Sequence, residues 1–539
     1  MQKLIIHIFI VLSFSNWSFK TYAQVLKDYN DISIFFGDKE KAARSVESFT
    51  KIKGKELLCV QNKLSVFQMF SKNNSKYTFD LIKDYSLPKS KPIQFYGEGE
   101  KTNLIDYSPI GNQVLGLSYR TTFLDQNPAL FYHFINPVQN GRTNHGFPLS
   151  GFNSMRNLID LSRLSVISSM NEDFAAVLYI PKTKPEEYTS LKYAIIKNDY
   201  SISNEDEFLY PYPSLAYKPI EYFVVDEINQ IFISGHYINN KTENISNNTK
   251  AYFKHISITK ITNNELSFEK IESSGKYFSE LKAIENEEDI TLSCLYSSYI
   301  DGQIEGTYIA IINKEGKLKN SYFTPFPKEL IRPLKIFKDD FFTNQVRSRK
   351  DYSTFNILDF HVMEDGYILS AEFNAVEYRY GGTDVPGATN VIDTYFWSSD
   401  IIICKIDKNG QLVWIEIIPK IQRSINDGGY YLSTASYFGE QQIHLFFNDN
   451  LSNYNEEGIY NKTGDTPLPT QFSNSKNTIA HVSIDINNGL VKRKSTIGKE
   501  AMDIIFVPKL AVAFKSTKKL MIYGRSGNKH RVGSISFNE

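Results

Sequence analysis

The chain has 539 residues, with 60 Lys and Arg set against 60 Asp and Glu. That balance leaves no electrostatic footprint for a phosphate backbone, so nucleic acid is not an expected partner. Aromatic residues make up 14% of the chain, 34 Tyr and 38 Phe among them, and such residues suit pleated, half-buried strands.

Residues 1–23 read as a secretory signal. Lys3 supplies the basic start, Leu4 to Phe14 is an apolar run too short to cross a bilayer, and Thr21-Tyr22-Ala23 has the form of a small-residue cleavage site. The mature chain then begins at Gln24, outside the cytoplasm (periplasm, cell surface or medium), with no membrane insertion after cleavage. An uncleaved anchor is the alternative, disfavoured because no run of 18 apolar residues occurs. Cys59, Cys294 and Cys404 are too few and too scattered for a disulfide framework, and each sits in an apolar alternating run that suits a small buried hydrophobe. One pair is still open to bridging in an oxidising compartment.

Past the signal, Val25 to Phe36 reads as a lone strand and Asp38 to Val46 as a short helix capped by Asp38. Hairpins then recur, each turning on Asn, Asp, Gly or Glu. The first is Val66 to Phe70 with Tyr77 to Ile82. The second runs Leu130 to Ile135 and returns toward Phe147, and the third pairs Lys192 to Lys197 with Ile202 to Leu209. Phe253 to Ile261 with Leu266 to Ile271, and Tyr308 to Ile312 with Leu318 to Phe323, are the fourth and fifth. The sixth and best formed is Asp400 to Lys420, turning at Lys408-Asn409-Gly410. Ala480 to Ile486 with Leu490 to Thr496 is the seventh, and three strands from Leu510 to Phe537 close the chain.

The later turns fall 52, 94 and 79 residues apart, at 264, 316, 410 and 489. That scale fits four-stranded units with variable loops, as in a β-propeller. Each unit has strands A to D in order; Phe355 to Met363 and Tyr367 to Phe373 are the A and B strands ahead of the sixth hairpin. The expected fold is all-β, a closed β-propeller of about eight four-stranded blades, or seven, forming one domain over residues 24–539. The N-terminal strand would complete the last blade and remove two sheet edges.

Asp407, Gly410 and Trp414 in the sixth hairpin resemble the blade repeat of the PQQ-like (quinoprotein-like) β-propellers. The resemblance implies a propeller of the broad WD40-like, repeat-built kind; its quinone is not carried over, and no cofactor is expected. Histidines lack H-x-H or H-E-x-x-H spacing, no calcium loop occurs, and no metal is expected.

Strand order gives one functional inference. A–B and C–D turns are short, whereas the B–C connections Asn239 to Lys250, Ala375 to Thr394 and Asn448 to Asn477 are long and fall at one end of their units. Loops held by a rigid scaffold carry binding residues. Candidates there are Tyr119 and Arg120, His236 and Tyr237, Tyr378, Arg379, Tyr380 and Asp384, and Tyr454 and Tyr460; Tyr and Arg together mark binding hot spots, and aromatic faces suit sugar rings. The expected role is a binding or scaffolding module for a protein or glycan partner. A carbohydrate-active enzyme, with a carboxylate pair or a His and a carboxylate around a central pit, and a structural subunit of a surface assembly are the rivals.

Overall fold

The structure is a computed structural model. It describes the chain from Lys27 to Asn538 apart from residues 30–31, 42–44, 53–55, 63–76, 82–91, 121–128, 138–142, 150–151, 153–163, 180–187, 214–221, 226–228, 238–252, 263–264, 300–303, 329–348, 382–390, 462–466, 471, 473–475 and 499–503. Among the described residues the fold is all-β, a succession of mostly antiparallel sheets in which most strands pair with the next in sequence; the pair of Thr143–Pro148 with Gln94–Gly97 is parallel.

Sheet 1 holds Ser45–Ile52, Glu56–Asn62 and Tyr77–Leu81. In sheet 2, Glu100–Ile110, Gln113–Arg120, Ala129–Ile135 and Thr143–Pro148 run in order, and Gln94–Gly97 bridges the last of these back to the first, which closes the sheet on itself. Sheet 3 runs Leu164–Ser168, Phe174–Tyr179, Tyr188–Lys197 and Ile202–Pro213. Sheets 4 (Tyr222–Val225, Asn229–Tyr237, Phe253–Thr262, Glu265–Glu272) and 5 (Tyr277–Glu285, Asp289–Ser297, Gly306–Asn313, Leu318–Pro325) are linked by the single pair Phe253 and Phe278. Sheet 6 has the longest strands, Arg349–Met363, Gly366–Gly381, Val391–Asp407 and Leu412–Ile425. Sheet 7 is Ala435–Phe438, Gln442–Asn450, Asn477–Asp485 and Val491–Gly498. In sheet 8, Ile505–Phe506 and Val512–Phe514 pair with Lys519–Ser526, which pairs with Lys529–Phe537.

Inner strands are buried along nearly their whole length, as Asp289–Ser297 and Gln442–Asn450 are, because sheets cover both of their faces. Outer strands such as Glu265–Glu272 and Leu318–Pro325 are mostly exposed. Every consecutive pair of sheets shares an apolar cluster: Leu58 and Val60 meet Phe95 and Leu104, Ile368 and Trp414 meet Ile443 and Val482, and so on along the chain. Sheet 7 packs on sheet 8 through Phe446 and Phe537. Sheet 8 in turn packs on sheet 1, Val507 and Tyr523 against Val46 and Cys59. The two chain ends meet in one sheet, where Ile32–Phe36 pairs antiparallel with Phe537 back to Gly533.

The hairpin at Asp400 to Lys420 shows how one sheet is fixed to the next. Asp407 Oδ1 accepts from the amides of Asn409 (2.9 Å) and Gln411 (2.8 Å), an Asx turn. Gly410 sits at φ +79°, and a Cβ there would fall 2.4 Å from Tyr322 of sheet 5; its carbonyl accepts from Thr324 Oγ1 at 2.8 Å. One sheet later the same device repeats. The sheet 7 turn at Gly489, φ +75°, lies under the Trp414 ring, and Trp414 Nε1 donates to the Ile486 carbonyl at 3.0 Å. Trp414 and the turn glycines are therefore packing residues.

Several sequence expectations need correction. Val25 to Phe36 is not one strand but a hairpin, Lys27–Tyr29 against Ile32–Phe36. The expected helix from Asp38 to Val46 is absent from its described part: Glu40–Lys41 pairs with Lys529 and His530, and Ser45–Ile52 opens sheet 1, so strand partners override the local capping signal. Val66 to Phe70 lies outside the described residues. The connection Ala375 to Thr394 is largely strand, with pairing maintained as far as Gly381 and Val391, because Val376, Tyr378 and Tyr380 supply the β-favouring alternation of a strand. All three cysteines are buried and unbridged, which closes the disulfide alternative for the fold as it stands.

Candidate functional site

The sequence-predicted residues occupy equivalent places in four sheets: at or near the ends of B strands, or in the B–C connection. Tyr119 is buried in the cluster between sheets 2 and 3, and burial pushes its phenol pKa up. Arg120 is tied down rather than presented, 3.2 Å from Glu98 and 3.6 Å from Glu100, with its guanidinium 5.7 Å from the Phe131 ring centroid. His236 and Tyr237 end Asn229–Tyr237, pairing with His255 and Phe253 across a register shift. Tyr378, Arg379 and Tyr380 pair with Thr394, Asp393 and Ile392. Their backbones are thus rungs of the sheet 6 ladder rather than members of a free loop. Asp384 lies outside the described residues.

Tyr454 and Tyr460 are brought together, ring centroids 5.7 Å apart, but they fold back onto their own sheet. The Tyr454 hydroxyl donates to Asp449 Oδ2 at 2.6 Å, Arg493 donates to the same oxygen at 2.5 Å and to the Tyr454 hydroxyl at 3.0 Å, and the Arg493 guanidinium lies 3.9 Å from the Tyr460 centroid. Arg493 also donates to the Pro419 carbonyl, and the Thr470 amide donates to Ile421 at 2.9 Å. The long connection of sheet 7 is thus stitched to the D strand of sheet 6. Beside the bridge from Gln422 to Thr470, Arg423 lies over the Tyr395 and Trp397 rings at 5.8 and 5.5 Å.

Sheet 6 also carries a buried ion pair that sequence reasoning missed. Lys420 and Glu372 are both fully buried, with Nζ 2.5 Å from Glu372 Oε1. Ser398 (3.0 Å), Thr434 (3.0 Å) and Gln422 (3.1 Å) complete the acceptors around the ammonium, and Thr434 also donates to Glu372 at 2.7 Å. Burial works to raise the Glu372 pKa, but Lys420 and the hydroxyls hold it below the ordinary carboxylate value. Nearby Asp400, also buried, is pushed up to about 6. The register shifts of sheet 6 at Glu372/Asn374 and Ser399/Ile401 fall at this level, and bulges of this kind re-aim side chains. With its ammonium saturated and no access to solvent, the pair bolts sheet 6 to the start of sheet 7; it is not a ligand site.

A second missed cluster does reach solvent. The A strands touch one another: Ser48 Oγ is 3.1 Å from the Tyr107 hydroxyl, Ser108 Oγ is 2.6 Å from Ser168 Oγ, and Ser436 donates to Asp359 Oδ2 at 2.8 Å. Asp359 Oδ1 lies 3.1 Å from His361 Nε2, with the two side chains 34% and 17% exposed. Lys515 Nζ is 3.4 Å from His361 Nδ1, and Phe438 covers the imidazole at 3.8 Å. An ammonium can only donate, so Nδ1 is the acceptor in that contact. Protein surrounding Asp359 works to raise its pKa, and His361 and Ser436 bring it below its ordinary value. Lys51 completes the group: it feels Lys515, Glu172 and Asp359, from sheets 8, 3 and 6. All these residues sit at the A–B turn end of their sheets. The only sequence signal was the polar-apolar-polar alternation Asp359-Phe360-His361, in no way unusual for a half-exposed strand.

No family model matches the chain, and no curated protein does. Similar solved structures include the WD40 domain of SCAP from fission yeast (TM-score 0.36, 9% identity, 94% of this chain and 95% of that one), and the polysaccharide lyase Uly1 (0.33, 11%, 94% and 100%). The β-propeller domain of the Trilobed protease from Pyrococcus furiosus is a third (0.27, 8%, 81% and 93%). At these identities nothing about binding or catalysis follows from the likeness.

Proposed function

We propose that the chain is a closed β-propeller of eight blades that acts outside the cytoplasm as a binding module for a protein or glycan partner. The cyclic order of shared clusters, sheet 8 to sheet 1 included, and the pairing of Ile32–Phe36 with the last strand support closure. The signal-like residues 1–23 support the compartment. In this reading the PQQ-like likeness of Asp407, Gly410 and Trp414 reflects shared turn packing, and no cofactor is needed. The single observation that carries the partner role is the joined surface of sheets 6 and 7, where exposed Arg423 lies over Tyr395 and Trp397 on strands that continue past the register shifts. Arg and aromatic groups held on a rigid ladder are what partner hot spots use. The test is a pull-down from the native envelope together with a glycan array, run with the parent and with Arg423→Ala/Tyr395→Ala. Retention of a partner or glycan that the double variant loses is expected; equal retention by both removes this surface from consideration.

A carbohydrate-active enzyme is the second reading, and the Asp359–His361 pair favours it. Its test is depolymerisation of acidic and neutral polysaccharides by the parent and by Asp359→Asn, with activity lost in the variant.

A further inference from the structure

Sheet 2 departs from the other sheets on its outer side. The outer strands of sheets 4 and 7, Glu265–Glu272 and Val491–Gly498, present Glu and Lys to solvent, whereas Thr143–Pro148 and Gln94–Gly97 present aromatic rings. Asn144 and Gly146 face inward: Asn144 Oδ1 is 3.0 Å from His133 Nδ1, and a Cβ on Gly146 would fall 2.5 Å from the same imidazole. Alternation therefore turns His145 and Phe147 outward. Phe95 packs on His133 in the same way, which turns Tyr96 outward beside His145, ring centroids 5.7 Å apart. Tyr132 stacks under Phe147 at 5.3 Å, yet Phe147 is 45% exposed, so its far face is open.

The C–D turn of sheet 3 adds Tyr200 to this side. Tyr200 donates its amide to the Lys197 carbonyl as Gly316 and Gly410 donate theirs to Asn313 and Asp407 in the turns of sheets 5 and 6. It also takes their left-handed φ, +74° against +77° and +79°, a conformation that strains a bulky side chain. Burial does not offset the strain, because Tyr200 is itself 45% exposed. Its ring stands 4.3 Å from Phe134 and 6.3 Å from Phe147. Gln113 Nε2 donates to its hydroxyl at 3.1 Å, with Gln113 Oε1 3.3 Å from the same oxygen.

We propose that this side of sheets 2 and 3 binds a neutral oligosaccharide, with sugar rings laid on Phe147 and Tyr200 and the chain continuing over His145 and Tyr96. A sugar has C–H faces, which stack on open aromatic rings, and hydroxyls, which need edge groups able both to donate and to accept. Here those edge groups are the Tyr200 hydroxyl and the Gln113 amide. Both are uncharged, which favours a neutral glycan over a uronate. The site is separate from the Arg423 surface of sheets 6 and 7.

The site is tested by isothermal titration of the purified full chain with maltohexaose, cellohexaose, laminarihexaose and, as the charged counterpart, hexagalacturonate. The same titrations are run on Phe147→Ala, on Tyr200→Gly, and on Leu490→Ala and Arg423→Ala as controls in other sheets. At least one neutral hexasaccharide is expected to bind, and each aromatic variant weakens it about tenfold, the effect of one stacked ring and the area it covers. The controls leave it unchanged. Tyr200→Gly removes the ring and suits the left-handed φ, so its melting temperature should match or exceed the parent's, which separates lost affinity from lost fold. Absent binding of every neutral hexasaccharide, tighter binding of hexagalacturonate, affinity indifferent to both aromatic variants, or a clear drop in the melting temperature of Tyr200→Gly overturns the proposal. Self-association of the parent that both aromatic variants abolish in sedimentation also overturns it, since the patch is then a contact between copies. Because Arg423→Ala reports on the surface of sheets 6 and 7 and the aromatic variants do not, either reading can fail without the other.

Discussion

Replacing Lys420 with Met leaves Glu372 buried and without its counter-ion, and the size of the resulting loss follows from the site. Both side chains are fully buried and 2.5 Å apart, so the pair owes its existence to mutual compensation: removing one partner of such a pair costs about 3–5 kcal/mol, whereas removing both charges together is often close to neutral. Thr434 still donates to Glu372 in the variant, which places the expected loss toward the lower end, about 3 kcal/mol. Lys420→Met/Glu372→Gln should recover most of that loss, because the amide keeps an acceptor for Thr434 and brings no charge. Urea unfolding followed by tryptophan fluorescence reads both variants, since Trp414 shares the strand of Lys420 and Trp397 lies on the strand between the two partners. The gap between single and double variants should narrow as the pH falls, because the stranded carboxyl escapes its penalty by taking up a proton. A double variant as unstable as Lys420→Met, or a single variant within 1 kcal/mol of the parent, would falsify the account of the pair as a mutually compensated bolt.

Acid should destabilise the fold through its buried imidazoles. Burial draws His133 down to about 4 and, with His444 stacked beside it, His481 down to about 3. Both stay neutral in the fold while the unfolded chain takes up protons below about 6.5, so their contribution is whole above that pH and drains as the pH falls towards 4 and 3. The melting temperature should therefore drop steeply between pH 6.5 and 4, and His481→Gln should show a shallower drop; an unaltered slope argues against His481. Gly410→Ala should cost more than Gly489→Ala, about 2 against 1 kcal/mol, since both adopt left-handed φ but only the first would drive a Cβ to 2.4 Å from the Tyr322 side chain; equal losses by urea titration would remove the packing difference as the cause. Thiol reagents should find no reactive cysteine in the native chain and three after denaturation, with Cys404 pushed up to about 12 by burial; a native thiol that reacts rapidly contradicts the burial described.

Hairpins with an Asn, Asp or Gly turn were legible because their signal is local: Asp407 to Gly410 states the turn, and the apolar runs on either side state the strands. The B–C connection of sheet 6 was misjudged because Gly381, Gly382 and Pro386 signal a loop, whereas the strand character of Val376 to Tyr380 depends on partners Ile392 to Phe396 further along the chain. Tyr454 and Tyr460 were correctly assigned to a long connection, yet their packing on Arg493 was hidden, because Arg493 lies in another strand of sheet 7 and nothing in the order of residues brings it back. Lys420 and Glu372 are separated by 48 positions, and an isolated Lys in an apolar strand reads as an edge residue until its carboxylate is found. The His361 to Lys515 contact crosses from sheet 6 to sheet 8, which only the assembled sheets bring together.

Because each C–D turn of sheets 6 and 7 inserts into the sheet made just before it, those sheets can form in the order of synthesis, each on a finished template. The strand Ile32–Phe36 has no such luck. It is among the first to emerge, and its partner Gly533–Phe537 emerges almost five hundred residues later. Throughout synthesis an apolar segment, Ile-Ser-Ile-Phe-Phe, is left with an unpaired backbone edge, the kind of edge that invites pairing with other chains. The contact that joins the two ends is therefore also the step at which the nascent protein is most dependent on a chaperone, and loss of the last five strand residues should show first as aggregation during expression rather than as a lowered melting temperature.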